Sequence, residues 1–232
     1  AAPLSVSGRV LGPDGEPMAG APVTLKYWST TPGHPTPTLT TDETGAFSFS
    51  VDDARLYEPA TVYVVKPGFA IAWALVRDGE QADLRLSGQT VTCRGVCVDV
   101  AGNPLPGATI AVTGVMRSPL RHWSESDFQL WLYTGNPLTT TADDNGAFSI
   151  PDLPPGCILS MRAAAPGCAT QTRYEVPGDA DGIRIYLRPE ATISGRVTHG
   201  GTGVEGVTVG IGYSTAKTAA DGSFTLGNLS AG

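Results

Sequence analysis

The 232-residue sequence is poor in charge, in aromatic rings and above all in lysine. Charged residues make up 16% and aromatic residues 7% of it. Lysine stands only at Lys26, Lys66 and Lys217, and the formal net charge is −7, from 22 acids against 15 bases. No basic stripe forms, which excludes nucleic acid and anionic membrane surfaces as electrostatic partners. No apolar run approaches the roughly 18 residues of a membrane span, so no insertion into a bilayer is expected. Ten-residue stretches free of both glycine and proline are few, which removes most room for helices. Glycine and proline are abundant instead, at 29 and 19. They follow no Gly-X-Y period, so collagen is excluded and frequent turns are implied. Hydrophobic residues, at 41%, are enough for packed cores.

The apolar residues alternate by two, as in Val6-Ser7-Gly8-Arg9-Val10, Thr61-Val62-Tyr63-Val64-Val65 and Ile183-Arg184-Ile185-Tyr186-Leu187. That period places one side-chain set on each face of a strand, so the chain reads as all-β. It also repeats itself. Val6 to Val10, Cys93 to Cys97 and Ile193 to Val197 open three copies. Each opening leads through a Gly- and Pro-rich turn to a second strand. Each copy then reaches an acidic turn and Gly-x-Phe, at Gly45-Ala46-Phe47, Gly146-Ala147-Phe148 and Gly222-Ser223-Phe224. The three phenylalanines are candidate core plugs. The first two copies continue to a Pro-Gly bend, Pro67-Gly68-Phe69 and Pro166-Gly167-Cys168. About seven short strands per copy fit a Greek-key sandwich, in which two sheets bury their apolar faces on each other.

These residues resemble the carboxypeptidase regulatory-like domain, also described as transthyretin-like or prealbumin-like and related to the Cna-type repeats. The second copy is most similar, through Asn103-Pro104-Leu105-Pro106-Gly107-Ala108 and Leu153-Pro154-Pro155-Gly156. The resemblance implies tandem seven-stranded Greek-key β-sandwiches, two complete and one truncated. The expected divisions are 1–88, 89–190 and 191–232. The third copy stops at Asn228-Leu229-Ser230-Ala231-Gly232, where the second has Asp152 to Gly156, so the sequence reads as a piece of a longer protein. Linkers of one to three residues imply a semi-rigid array. Relatives of this kind occur as appendages of secreted peptidases, on outer-membrane receptors and in bacterial surface proteins. An extracellular, cell-surface or periplasmic location follows as an expectation.

The copies differ chiefly in length. From the first-strand glycine to the glycine of Gly-x-Phe they span 37, 51 and 27 positions. The excess of the first lies at 27–38, that of the second at about 115–138. These insertions hold Trp28, Trp123 and Trp131, with His34, His122 and Tyr133. Long loops on a rigid sandwich are where binding usually sits. Trp28, Trp123, Trp131 and Tyr133 are therefore the candidate contacts, for a polysaccharide or for neighbouring domains of the same polypeptide. Self-packing of the rings onto their own sandwich is the competing reading.

Catalytic patterns are weaker. His122-Trp123-Ser124-Glu125 fits the H-x-x-E zinc pair, but a catalytic zinc needs a third protein ligand. Gly201-Thr202-Gly203-Val204-Glu205-Gly206 fits G-x-G-x-x-G, yet a strand rather than a helix follows, so a hairpin turn is expected. Asp42-Glu43 and Asp143-Asp144 read as turn residues rather than calcium ligands. Cys93 and Cys97 take the places of Val6 and Val10, and Cys168 that of Phe69. With Cys157 they read as small buried hydrophobes, a cross-strand disulfide in the second copy being the alternative. Lysine is missing from all three first strands, so a Cna-type isopeptide bond is not expected. No enzyme activity and no cofactor are expected. The main expectation is a structural, spacer or adhesion module of a secreted or surface bacterial protein. The alternatives are a carbohydrate-binding accessory module and the regulatory appendage of a secreted peptidase.

Overall fold

The alternating pattern and the glycine turns make strands in every copy of the repeat. The computed structural model describes residues 3–29, 34, 36–54, 59–117, 129–132, 137–212 and 214–230. Among these there are twenty-one strands and no helix.

The first sandwich has strands β1 (Leu4–Leu11), β2 (Pro22–Lys26), β3 (Thr38–Thr40), β4 (Ala46–Val51), β5 (Ala60–Val64), β6 (Ala72–Val76) and β7 (Gln81–Arg85). One sheet has the order β4-β1-β7, the other β3-β2-β5-β6. The pairing of β1 with β7 is parallel, so the first and last strands of the copy lie side by side. Val6 and Val10 of one sheet meet Val23, Leu25, Val62 and Val64 of the other in a buried core.

The second sandwich repeats the plan with β8 (Val91–Val98), β9 (Thr109–Met116), β10 (Gln129–Trp131), β11 (Thr139–Thr141), β12 (Ala147–Leu153), β13 (Ile158–Ala164), β14 (Gln171–Pro177) and β15 (Ile183–Tyr186). Its sheets are β12-β8-β15 and β10-β9-β13-β14, with β11 also on β9. It has eight described strands rather than seven. The insertion supplies β10, which pairs with the end of β9 beyond β11.

The third copy has β16 (Glu190–Arg196), β17 (Thr198–His199), β18 (Thr202–Gly203), β19 (Thr208–Ile211), β20 (Ser214–Lys217) and β21 (Ser223–Ser230). They pair as β16-β21, β17-β18 and β19-β20. The G-x-G-x-x-G stretch falls on the β17-β18 hairpin and runs on into β19, a strand. Little of this copy is buried: Ile193 and Ile211 are about half exposed, and Phe224 is only partly covered.

The repeated glycine and phenylalanine are one device. Gly8 pairs with Phe47, Gly95 with Phe148 and Gly195 with Phe224 across adjacent strands. In each pair the ring tip lies 2.7 Å from where a Cβ on the glycine would stand. Glycine leaves the space that the ring fills, which is how an aromatic compensates a strand glycine. Phe47 and Phe148 are buried at 5% exposure, as the plug reading requires.

The acidic turns use their carboxylates locally. Asp42 Oδ1 accepts from the backbone N–H groups of Thr44 and Ala46, and Asp143 Oδ1 from those of Asn145 and Ala147. These bonds, that from Ala46 foremost, hold the exposed Asp42 carboxyl below its ordinary pKa. Turn chemistry accounts for both acids.

Candidate functional site

Strands β5 and β6 carry apolar residues on both faces. Val62 and Val64 enter the core of the first sandwich. Tyr63, Ile71 and Trp73 point the other way, yet they too are buried, at 4%, 3% and 2% exposure. They belong to the hydrophobic cluster of the second sandwich, with Val65 packed against it. The outer face of one sandwich is thus covered by the next.

Polar contacts complete this joint. Arg117, just after β9, lies over the Trp73 ring at 4.1 Å from its centroid. Its Nη2 donates to the Trp73 carbonyl at 2.9 Å. A guanidinium on an indole face gains from the ring quadrupole, more so when water is excluded. The Trp73 Nε1 has no hydrogen-bond partner among the described residues. Asp152, in β12, accepts from Gly68 N–H at its Oδ2 and from Ile71 N–H at its carbonyl, both at 3.1 Å. The linker is held as well, since Ala70 N–H donates to the Ser87 carbonyl at 2.8 Å.

The second joint keeps the linker contact and changes the face. Ala169 N–H donates to the Arg188 carbonyl at 2.9 Å, and Glu190 N–H to the Gly167 carbonyl at 2.9 Å. Asn228 Oδ1 accepts from Thr170 N–H at 2.8 Å. By strand register Arg162 and Thr172 occupy the places of Tyr63 and Trp73. Both are exposed. No apolar cluster bridges the second and third copies among the described residues.

Of the sequence-based candidates, Trp28 alone has a described side chain. Trp28 is 59% exposed, beside the first sandwich. Its neighbours fold the base of that insertion inward: Tyr27 Oη donates to Asp53 Oδ1 at 2.8 Å, and Ser29 Oγ donates to Asp53 Oδ2. The Tyr27 and His34 rings stand 4.7 Å apart. Desolvation, with the bond to Asp53, pushes the Tyr27 phenol up to about 12. Trp131 lies on β10, with its backbone opposite Gly114 of β9, and its side chain is outside the described residues. Trp123 and Tyr133 lie outside the described residues, as do His122, Ser124 and Glu125.

A shallow groove borders the first joint, lined by Thr24, Thr36, Thr38, Tyr63 and Val65 with Pro137 of the second copy. Thr24 and Thr38 share a hydroxyl hydrogen bond of 2.8 Å there. Among the described residues no group of three or more His, Cys, Asp or Glu could hold a metal ion. All four cysteines are free: Cys93, Cys97 and Cys157 are buried and Cys168 is half-buried. Burial pushes the Cys93 and Cys97 thiols up to about 11 and that of Cys157 to about 12. A thiol so raised is a poor nucleophile and packs as a small hydrophobe.

The joint residues escaped the sequence reading. Their signal was there in principle: Tyr63, Ile71 and Trp73 put bulky apolar groups on the face of β5 and β6 that should meet water. A strand apolar on both faces is buried on both.

Residues 5–87 match the family model of the carboxypeptidase regulatory-like domain. The first sandwich is similar to that domain over nearly its whole length. The second copy repeats its strand order. A search of the curated proteins gives no match. Among solved structures, the TIE protein of Bacillus anthracis is 18% identical, over 97% of this chain and 44% of that one, with a TM-score of 0.30. A streptococcal ancillary pilin is 15% identical, over 81% of this chain and 62% of its own, with a TM-score of 0.30. The 3-chlorocatechol 1,2-dioxygenase of Rhodococcus opacus 1CP is 13% identical, over 37% of this chain and 60% of its own, with a TM-score of 0.29. The chain spans less than two thirds of each of these three proteins. Likenesses of this size carry no argument about function.

Proposed function

We propose that this tandem of carboxypeptidase regulatory-like sandwiches is a non-catalytic structural or adhesion module of a secreted or cell-surface bacterial protein, which holds its neighbours at a set spacing. One observation carries the reading: the first joint buries Tyr63, Ile71 and Trp73 in the second sandwich's own hydrophobic cluster. A spacer needs joints that do not swing, and shared core provides them. Nuclear spin relaxation on the whole chain tests this. The first and second sandwiches should tumble with one correlation time; two separate times would refute the spacer reading.

A second reading rests on the exposed Trp28 face. With Trp123, Trp131 and Tyr133 it would make the chain a carbohydrate-binding accessory module, its rings stacking on a polysaccharide. Glycan-array binding that a Trp28→Ala, Trp123→Ala, Trp131→Ala triple variant loses would favour it. No signal from the native chain would end it.

A further inference from the structure

The second and third copies share a backbone feature that the first lacks. Asp152 and Asn228 have φ of 59° and 55°, in the left-handed region. Each is the extra residue of a β-bulge: pairing to the first strand shifts between Ile150 and Leu153, and between Leu226 and Leu229. The two residues are equivalent, each four positions after the plug phenylalanine. In the first copy that position is Val51, and β1 pairs with β4 in unbroken register to Leu4↔Val51. Asp and Asn are the residue types that enter the left-handed region most readily after glycine. A bulge re-aims the side chain it carries.

Both bulges aim at the same target. Asp152 takes Gly68 N–H on its carboxylate and Ile71 N–H on its carbonyl. Asn228 takes Thr170 N–H on its amide oxygen. Thr170 is the equivalent of Ile71, counted from the Pro-Gly bend of its own copy. At both joints the bend is also tied to the linker, through Ala70 to Ser87 and Ala169 to Arg188.

We infer that the bulge Asp or Asn is a docking residue that reads the Pro-Gly bend of the preceding copy, so that the partner surface of each such bulge is the bend of another carboxypeptidase regulatory-like sandwich. The bend offers backbone N–H donors, and the bulge brings one short-armed acceptor to them. Because it reads backbone, the dock tolerates the change from Phe69 to Cys168 and from Ile71 to Thr170. It is directional: the first copy presents a bend but, with Val51 in regular register, no bulge acceptor. The same contact makes Asn228 a joint residue. The inference deepens the spacer reading by naming what sets the order of the copies.

The test uses amide hydrogen exchange in the full chain. Glycine keeps positive φ available, so Asp152→Gly and Asn228→Gly remove only the acceptor. Asp152→Gly should speed exchange at Gly68 about tenfold, as for loss of a charge-assisted bond, while Ile71, bonded to the main-chain carbonyl, stays within about twofold. Asp152→Asn should restore Gly68. Asn228→Gly should speed Thr170 about tenfold and lower the alignment of the third copy in residual dipolar couplings. Unchanged exchange at Gly68 and Thr170 in folded variants would overturn the inference. If the third copy unfolds with Asn228→Gly, the Gly68 result in the complete second sandwich decides. The outcome is separable from the spacer reading, because common tumbling of the native chain depends on Trp73 and is measured without any variant.

Discussion

Single residues set the internal geometry of each copy, and the copies act as controls for one another. A Cβ at Gly95 would stand 2.5 Å from the Ile183 carbonyl and 2.7 Å from the Phe148 ring. Gly95→Ala should therefore cost about 2–3 kcal/mol by overpacking. At Gly195 the Phe224 ring alone comes that close, and Gly195→Ala should cost less. Phe148→Ala, which empties the same pair from the other side, should cost about 3–5 kcal/mol. Differential scanning calorimetry of the three variants checks the ranking. Thr41 tells a similar story. Its buried Oγ1 accepts from Ala21 N–H at 2.9 Å and donates to the Met18 carbonyl at 2.6 Å. Thr218 repeats the clip with Val207 and Val204. The second copy has Ala142 there, and its Ala108 N–H donates to the Leu105 carbonyl at 3.3 Å instead. Thr41→Ala should cost about 1 kcal/mol, measured by urea unfolding, and Ala142→Thr should recover part of that in the second copy.

Among the elements, β8 is the one whose chemistry departs most from its counterpart. Cys93 and Cys97 replace Val6 and Val10 on its buried face. Their thiols ionise at about 11 in the fold, against an ordinary value of 9.0. Above pH 9 the unfolded chain releases thiol protons that the folded chain retains. Stability that is complete below pH 9 is therefore lost as pH rises toward 11. The melting temperature of the cooperative unit that holds the second sandwich should fall across that window. A Cys93→Val, Cys97→Val variant should flatten the fall, with the residual slope left to Cys157. An identical slope in the variant would place the titration elsewhere. Element β10 carries a different lesson. The insertion that supplies it reads from composition as a binding loop, yet part of it extends the sheet on the free end of β9.

Across the whole molecule the two joints should behave differently. Tyr63, Ile71 and Trp73 bury an apolar surface at the first joint. Arg162 and Thr172 leave the matching face of the second copy in water. The first two sandwiches should melt as one cooperative unit, and the third copy should unfold earlier on heating. Trp73→Ala should cost about 3–5 kcal/mol and split the joint transition into two, since it removes the ring that both units share. A single unaltered transition would show that the joint adds no cohesion.

Much of this protein was legible without coordinates. Alternation by two, the glycine turns and the threefold Gly-x-Phe determine strands, copies and plugs, because strand period and turn conformation are local properties of residues. The Val-to-Cys exchange on the first strand likewise marks burial, since a small hydrophobe replaces another at the same register. The joints were decided only by tertiary structure. Asp152 and Val51 occupy the same place in the repeat; residue type favours the left-handed conformation at Asp152, but only the tertiary structure brings its bulge to the bend of the preceding copy. Tyr63 and Trp73 sit on strand faces that water or a neighbour could cover. Which of the two covers them depends on how a linker of a few residues turns the next sandwich, a property of packing between copies rather than of any segment.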